Sequence, residues 1–260
     1  MTILPEERKH EILNLLKRDG KVKVADLAKQ FSISEESIRR DLTMLEEKGS
    51  LKKVYGGAIA TIFQSGEPPF EQRTTVNQAE KIIIGKKAAE LISDGDVIAI
   101  DVGTTTLEFA HFIQNRKNLT ILTNSIPVST VLMESLNQNK FTGEILLLGG
   151  QIDPKQQSVS GHLTEQMLNQ FNIDKAFISA GGVSIQNGVS NYHLNESFVS
   201  RIMVEVSKQI ILLADHSKLG VDTFNKVCPL NKVDMIVCDQ TYPYTWKDDL
   251  KAYETEWIKA

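Results

Sequence analysis

Residues 31–49 read Phe-Ser-Ile-Ser-Glu-Glu-Ser-Ile-Arg-Arg-Asp-Leu-Thr-Met-Leu-Glu-Glu-Lys-Gly. Wound at about 100° per residue, this stretch puts Ile38, Leu42 and Leu45 on one stripe at i, i+4, i+7. Such a stripe must be covered by other elements. Glu36, Arg40, Thr43 and Glu47 take the opposite face, with Ser37 and Arg39 on its flanks. Ser32 and Ser34 both suit an N-cap, Ser32 with Glu35 fits a capping box, and Gly49 is placed to end the helix. An apolar back with a front of Ser, Glu and Arg suits the major groove of DNA, where guanidinium forks read guanine and carboxylates accept from cytosine. An ordinary amphipathic surface helix has the same pattern, so its neighbours decide.

Those neighbours build a small DNA-reading domain. Residues 6–18 predict a helix with Ile12, Leu15 and Leu16 on one side, broken by Asp19-Gly20. Residues 21–24 alternate as a short strand, and residues 24–31 predict a second helix with Val24, Leu27, Ala28 and Phe31 facing one way. Beyond the third helix, two β-prone runs flank Gly56-Gly57, a hairpin signal. The order predicts a winged helix-turn-helix over residues 1–60, its turn motif at about 22–41. On the wing, Lys52, Lys53 and Tyr55 suit phosphate contacts beside the groove. The residues expected to face DNA are therefore Ser32, Ser34, Glu36, Ser37, Arg39, Arg40, Thr43, Lys52, Lys53 and Tyr55. Bulk charge adds little: twelve basic and ten acidic residues leave the first sixty at +2, and the remainder stands at −6, for a net −4.

Residues 61–77 contain Pro68-Pro69 and few apolar side chains, and predict a linker between domains. From 78 to 260, six short apolar runs recur, at 97–100, 119–122, 145–148, 176–179, 210–214 and 235–237, most of them separated by helical stretches. The pattern predicts a mostly parallel α/β sheet, and roughly 180 residues suffice to bury its core. Ligands of such sheets bind outside the carboxyl ends of the strands. There the chain offers Asp101, Gly103, Thr104, Thr105 and Thr106; Thr123, Asn124 and Ser125; Gly149 and Gly150; Gly181 and Gly182; and Asp215, Ser217 and Lys218. Glycines let backbone N–H groups approach an anion, a helix starting after Gly103 aims its positive end at it, and Lys218 adds a charge. Asp101 and Asp215 suit sugar hydroxyls. The expected ligand is a phosphorylated sugar or polyol. No Gly-x-x-x-x-Gly-Lys-Ser/Thr motif supports a nucleoside triphosphate.

Composition excludes other classes. The chain is 41% hydrophobic and 24% charged, no apolar run reaches a membrane span, and the first residues are too charged for a secretory signal. Cys228 and Cys238 are expected to be reduced thiols of a cytoplasmic protein, and the five histidines have no metal-type spacing. No cofactor or metal is expected.

Several of these motifs together resemble one family. Arg8, Ile12 and Leu15, then Val24-x-x-Leu-Ala, then Phe31-Ser-Ile-Ser-x-x-Ser-Ile-Arg-Arg-Asp-Leu-x-x-Leu-Glu and Gly56-Gly57-Ala58 resemble the DNA-binding domain of the deoxyribose-operon repressor (DeoR) family of bacterial regulators. Ser37 stands where that family usually has Thr, and Tyr55 where it has His. Phe70-x-x-Arg73 is similar to the family's linker. Asp101-x-Gly-Thr-Thr, Thr123-Asn124, Leu148-Gly-Gly150, Gly161 and Asp215-x-Ser-Lys218 are similar to its effector domain, which itself is similar to ribose-5-phosphate isomerase and coenzyme A transferases. Glu196 and Arg201 match a further segment, in which Ser200 replaces a usual Lys. The resemblance implies a repressor of a carbohydrate operon, released from double-stranded operator DNA when a sugar phosphate binds, with Gly161 and Glu196 added to the effector site. A homo-oligomer, dimer or tetramer, would place two reading helices on two half-sites. Two other readings stand beside this one. One is a sugar-phosphate isomerase using Asp101, Glu196, Asp215 and Lys218; the other is a constitutive DNA-binding oligomer without effector.

Overall fold

In a computed structural model of the protein, which describes residues 5–19, 21–47, 51–54, 56–60 and 67–260, the chain divides into two compact units, Met1–Gly66 and Glu67–Ala260. The first unit holds α1 (Pro5–Asp19), β1 (Lys21–Lys23), α2 (Val24–Phe31), α3 (Glu35–Glu47), β2 (Leu51–Val54) and β3 (Gly57–Ala60). Its core is the set that helical spacing selects: Ile12, Leu15, Leu16, Val24, Leu27, Ile38, Leu42 and Leu45, closed by Leu51 and Ala58 from the wing. The strands pair in the order β1-β3-β2. Val54 pairs with Gly57 across the hairpin, and Gly56 stands at φ +78°. Tyr55 lies outside the described residues.

The second unit begins at Glu67, not at 78. Of the expected linker 61–77, residues 67–77 belong instead to the second unit and pack within it. α4 (Phe70–Thr74) starts directly after Pro68-Pro69, Phe70 is buried, and its amide donates to the Lys155 carbonyl at 2.9 Å. One enclosed aromatic ring anchors a segment whose composition is otherwise polar.

The unit continues through α5 (Gln78–Ala89), β4 (Val97–Ile100), α6 (Thr104–His111), β5 (Leu119–Thr123), α7 (Ile126–Asn137), β6 (Gly143–Leu147), β7 (Gln151–Asp153), β8 (Ser158–Ser160), α8 (His162–Leu168) and β9 (Ile173–Ser179). It ends with β10 (Gly182–Ser184), β11 (Gly188–Asn191), α9 (Leu194–Val206), β12 (Ser207–Leu213), β13 (Asn225–Cys228), β14 (Met235–Cys238), α10 (Lys247–Ala252) and β15 (Glu256–Lys259). Seven strands form one sheet in the order β15-β14-β12-β9-β4-β5-β6, every adjacent pair parallel. Its faces carry two apolar layers, one around Leu122, Ile178, Leu212 and Met203, the other around Ile84, Ile98, Phe109 and Phe177. Gly85 brings α5 against α6 so closely that a Cβ there would lie 2.6 Å from the Phe109 nitrogen.

From β4 the chain steps one way through β5 to β6, then returns to β9 on the other side and continues to β12, β14 and β15. The reversal falls between β4 and β9, where such a sheet leaves a crevice at the strands' carboxyl ends.

Candidate functional site

In the first unit, α3 buries Ile38, Leu42 and Leu45 and leaves Glu36, Arg39 and Arg40 exposed, with Ser37 and Thr43 half-buried. Its N-terminus is capped by Ser34, whose Oγ accepts the Ser37 amide at 3.3 Å. The expected Ser32–Glu35 capping box does not form. Ser32 instead closes α2 in the left-handed region, at φ 54°, and Glu35 pairs with Arg39 at 2.6 Å. The wing is tied to the helix: Lys53 Nζ donates to Thr43 Oγ1 at 2.8 Å, and the Lys53 amide to Glu46 Oε1 at 2.8 Å. Lys52 lies on β2, and its side chain is outside the described residues. Behind the front, Arg8 Nε meets Asp41 Oδ2 at 2.6 Å, both residues buried. Neither helix's periodicity marks that pair.

In the second unit, a cavity of about 190 Å³ opens at the β4/β9 reversal. It is smaller than the ~300–1,000 Å³ clefts that take drug-sized ligands. Gly103, Thr104 and Thr105 line it from the start of α6, Ser179 and Ala180 from the end of β9, and Asp215, Ser217 and Lys218 from the turn after β12. Glu196 of α9 closes one side. Gly103 sits where a Cβ would meet the Ser179 side chain at 2.6 Å. Sequence reasoning misses the wall made by residues 67–81: Glu67, Arg73, Asn77 and Lys81 all line the same cavity. Asn77 Nδ2 donates to Asp215 Oδ1 at 2.9 Å, and Lys81 Nζ to the Arg73 carbonyl at 2.6 Å. The Pro-Phe-x-x-Arg motif is the available signal, but in the sequence it points to a linker.

The remaining predicted residues do not line this cavity. Asp101 is fully enclosed beneath it, its carboxylate accepting from the Val102 amide (2.8 Å), Asn124 Nδ2 (3.3 Å) and Ser200 Oγ (2.8 Å). Thr106 Oγ1 donates to the Asp101 carbonyl at 2.7 Å. Thr123 Oγ1 donates to the Ile100 carbonyl, and Ser125 Oγ caps α7 by accepting the Val128 amide. Gly149 and Gly150 follow β6, and Gly161 precedes α8, all on the β5–β6 side of the reversal or around the β7–β8 hairpin. Gly181 and Gly182 enter the antiparallel sheet of β10, β11 and β13. A second, more open hollow of about 410 Å³ holds Asp153, Lys155, Ser158 and His193, and Glu196 lines it as well.

Burial dominates the electrostatics. It pushes the Asp101 carboxyl up to about 7, against the hydrogen bond from Ser200 and with help from the charge of Glu196. It also raises Glu196, which Ser158 Oγ holds at 2.6 Å. It lowers the Lys81 ammonium to about 8; Asp215 opposes the change, and Lys218 and Arg73 reinforce it. At Asp215 burial loses: the Ser217 hydrogen bond, the charge of Lys218 and the Asn77 hydrogen bond together hold the carboxylate below its ordinary value. Cys228 and Cys238 are buried and free, with thiols pushed up to about 12 and so unreactive. Among the described residues no helix is long and apolar enough to cross a membrane.

A winged helix-turn-helix followed by a parallel α/β unit with a polar crevice at its reversal point defines a DNA-binding transcriptional regulator with a sensor domain. The chain belongs to the DeoR family: residues 8–62 match the DeoR-like helix-turn-helix domain and residues 76–240 the DeoR C terminal sensor domain. It is 36% identical to the HTH-type transcriptional regulator IolR of Bacillus subtilis (strain 168), over 85% of this chain and 86% of that protein. The HTH-type transcriptional repressor GlcR of the same organism is 34% identical, over 90% and 88%. A lactose phosphotransferase system repressor of Staphylococcus epidermidis is 33% identical, over 90% and 91%. A solved ribose 5-phosphate isomerase A from Methanocaldococcus jannaschii overlaps 55% of each chain at 18% identity and a TM-score of 0.39, a likeness too loose to carry an activity across.

Proposed function

We propose that the protein represses a carbohydrate-utilisation operon and leaves its operator when a phosphorylated sugar or polyol fills the crevice at the β4/β9 reversal. One observation carries this reading: the N-terminal turn of α6, Lys218, Lys81 and Arg73 converge on a small cavity that Asp215 and Glu196 also line. Backbone N–H groups and fixed cations suit a phosphate, and the carboxylates suit hydroxyls. Relatives named as repressors, one of them of a lactose phosphotransferase system, support the regulatory side. A homo-oligomer presents two copies of α3 to two half-sites, and the effector acts by binding one arrangement of that oligomer better than the other. Of the residues named for the site, Gly103, Thr104, Thr105, Asp215, Ser217, Lys218 and Glu196 touch ligand, while Asp101, Thr106 and Asn124 support the floor.

The protein senses and does not turn over its ligand. Proton transfer between adjacent carbons needs a free base within reach of substrate. Asp101 is fully enclosed, and the two carboxylates Glu196 and Asp215 that line the cavity are already engaged, Glu196 by Ser158 and Asp215 by Asn77 and Ser217. Melting the full-length protein with a panel of triose, pentose, hexose and polyol phosphates tests both halves. A specific ligand raises the melting temperature by mass action and is recovered unchanged. A panel that leaves the melting temperature fixed, or a sugar phosphate that is isomerised, would overturn the reading.

A further inference from the structure

Glu67, the first residue of the second unit, reaches into the crevice and meets Arg73: Oε1 lies 2.8 Å from Nη1, with the two side chains only 11% and 16% exposed. Two further donors of Arg73 are held by neutral acceptors. Nη2 donates to Gln156 Oε1 at 2.6 Å and Nε to the Pro68 carbonyl at 3.0 Å. The Arg73 carbonyl in turn receives Lys81 Nζ. Arg73 is thus fixed in place with one edge of its fork turned to a carboxylate of its own chain. Lys81 and Lys218 line the same space, near enough that Lys218 and Arg73 both disfavour the Lys81 charge. A guanidinium fork and two ammonium groups suit a phosphate, and a carboxylate is the protein's nearest substitute for one.

Glu67 is lightly held. It has no regular secondary structure, and among the described residues its contacts are the Arg73 pair and a long 3.4 Å hydrogen bond that its backbone carbonyl accepts from Gln156 Nε2. Its covalent neighbours on the N-terminal side are residues 61–66 and then the wing strand β3.

We propose that the Glu67 carboxylate occupies the anion seat of the crevice, and that a phosphomonoester dianion takes this seat on Arg73, Lys81 and Lys218 by displacing it. This rests on the reading of the crevice as a phosphorylated-ligand site and adds which residues seat the phosphate and what must leave. Displacement lifts residues 67–69, so the point at which the linker joins the sensor unit depends on ligand. The coupling is reciprocal: whatever holds Glu67 down opposes the ligand, to the same degree that the ligand opposes it. Pro68 and Pro69 have no amide proton, so the Phe70 amide, bonded to the Lys155 carbonyl, is the first backbone reporter of that lift.

The test uses the full-length chain and inorganic phosphate at pH 8, with affinity read by calorimetry and the lift of residues 67–69 by hydrogen exchange at Phe70. Glu67→Gln should tighten phosphate binding by roughly fivefold or more, and Arg73→Gln should weaken it comparably. Phosphate should speed Phe70 exchange in the wild type, and in Glu67→Gln that exchange should already be fast without it. Equal phosphate affinity in the wild type and Glu67→Gln, or Phe70 exchange unmoved at saturation, overturns the proposal. So does phosphate binding to neither, and Glu67→Gln alone decides should Arg73→Gln fail to fold. A sugar phosphate that binds through Lys218 but is indifferent to Glu67→Gln sinks this inference and leaves the sensor reading standing. No binding by any phosphate to any variant sinks both.

Discussion

Ser200 Oγ lies 2.8 Å from Asp101 Oδ2, in the fully enclosed floor beneath the crevice. No cation meets that carboxylate among its hydrogen-bond partners, which are Ser200, Asn124 and the Val102 amide. Burial consequently raises Asp101 to about 7. The folded protein then holds a proton that the unfolded chain gives up near the ordinary value of 3.8. Its contribution to stability is whole below about 3.8 and drains away as pH rises to about 7. Asp101→Asn should therefore gain on the wild type in melting temperature across that window and hold its gain above it. A difference that does not change with pH contradicts the burial argument. Ser200→Lys, placing an ammonium beside the carboxylate, should erase the pH dependence.

The buried Arg8–Asp41 pair ties α1 to α3. Removing one partner strands the other, and Asp41→Ala or Arg8→Ala should cost roughly 3–5 kcal/mol. Replacing both by apolar residues of similar volume should cost much less. Chemical denaturation of the full chain, followed by a probe in the first unit, separates these outcomes.

On the exposed front of α3, Arg40→Ala should weaken operator binding by roughly 1–3 kcal/mol, as expected of a guanidinium that reads base edges. Lys53→Ala should weaken binding to all sequences alike and reduce the salt slope by about one, as expected of a phosphate contact. Fluorescence anisotropy on operator and scrambled duplexes at several salt concentrations distinguishes the two roles. Equal losses on both duplexes for Arg40→Ala would remove it from direct readout.

A Cβ at position 85 would lie 2.6 Å from the Phe109 nitrogen, and backbone cannot rotate away as a side chain can. Gly85→Ala should force α5 off α6 and cost about 1–3 kcal/mol. An unchanged melting temperature would show that the two helices have room to part.

Periodicity makes the covered faces legible. Ile38, Leu42 and Leu45 are buried as their spacing requires, and all six apolar runs lie in the seven-stranded sheet. β15, with only Trp257 and Ile258 apolar, is too short and mixed to stand out, and the small hairpins Gln151–Asp153 with Ser158–Ser160 and Gly182–Ser184 with Gly188–Asn191 are largely polar. Strand ends are visible in the sequence, but strand order is not. The exits of β5 and β6 are therefore pooled there with those of β4, β9 and β12, though in the sheet they lie beyond β4, on the side away from β9 and β12. Capping chemistry is ambiguous between Ser32 and Ser34 because either hydroxyl suits the role; the left-handed backbone at Ser32 decides it. Arg73 and Lys81 escape notice because a polar segment and a charge early in a helix look like solvated surface until Phe70 is seen to anchor them.

The most direct test of the regulatory claim is a competition titration. Operator DNA is first selected from a random duplex library by the full-length protein, and its affinity is then followed while phosphorylated sugars and polyols are added. At least one should weaken operator binding fivefold or more, and Lys218→Ala should abolish the response while leaving DNA affinity without ligand intact. Ligands that raise the melting temperature yet leave operator affinity unchanged would contradict the account, since the crevice would then be a binding site with no hold on the DNA-reading helix.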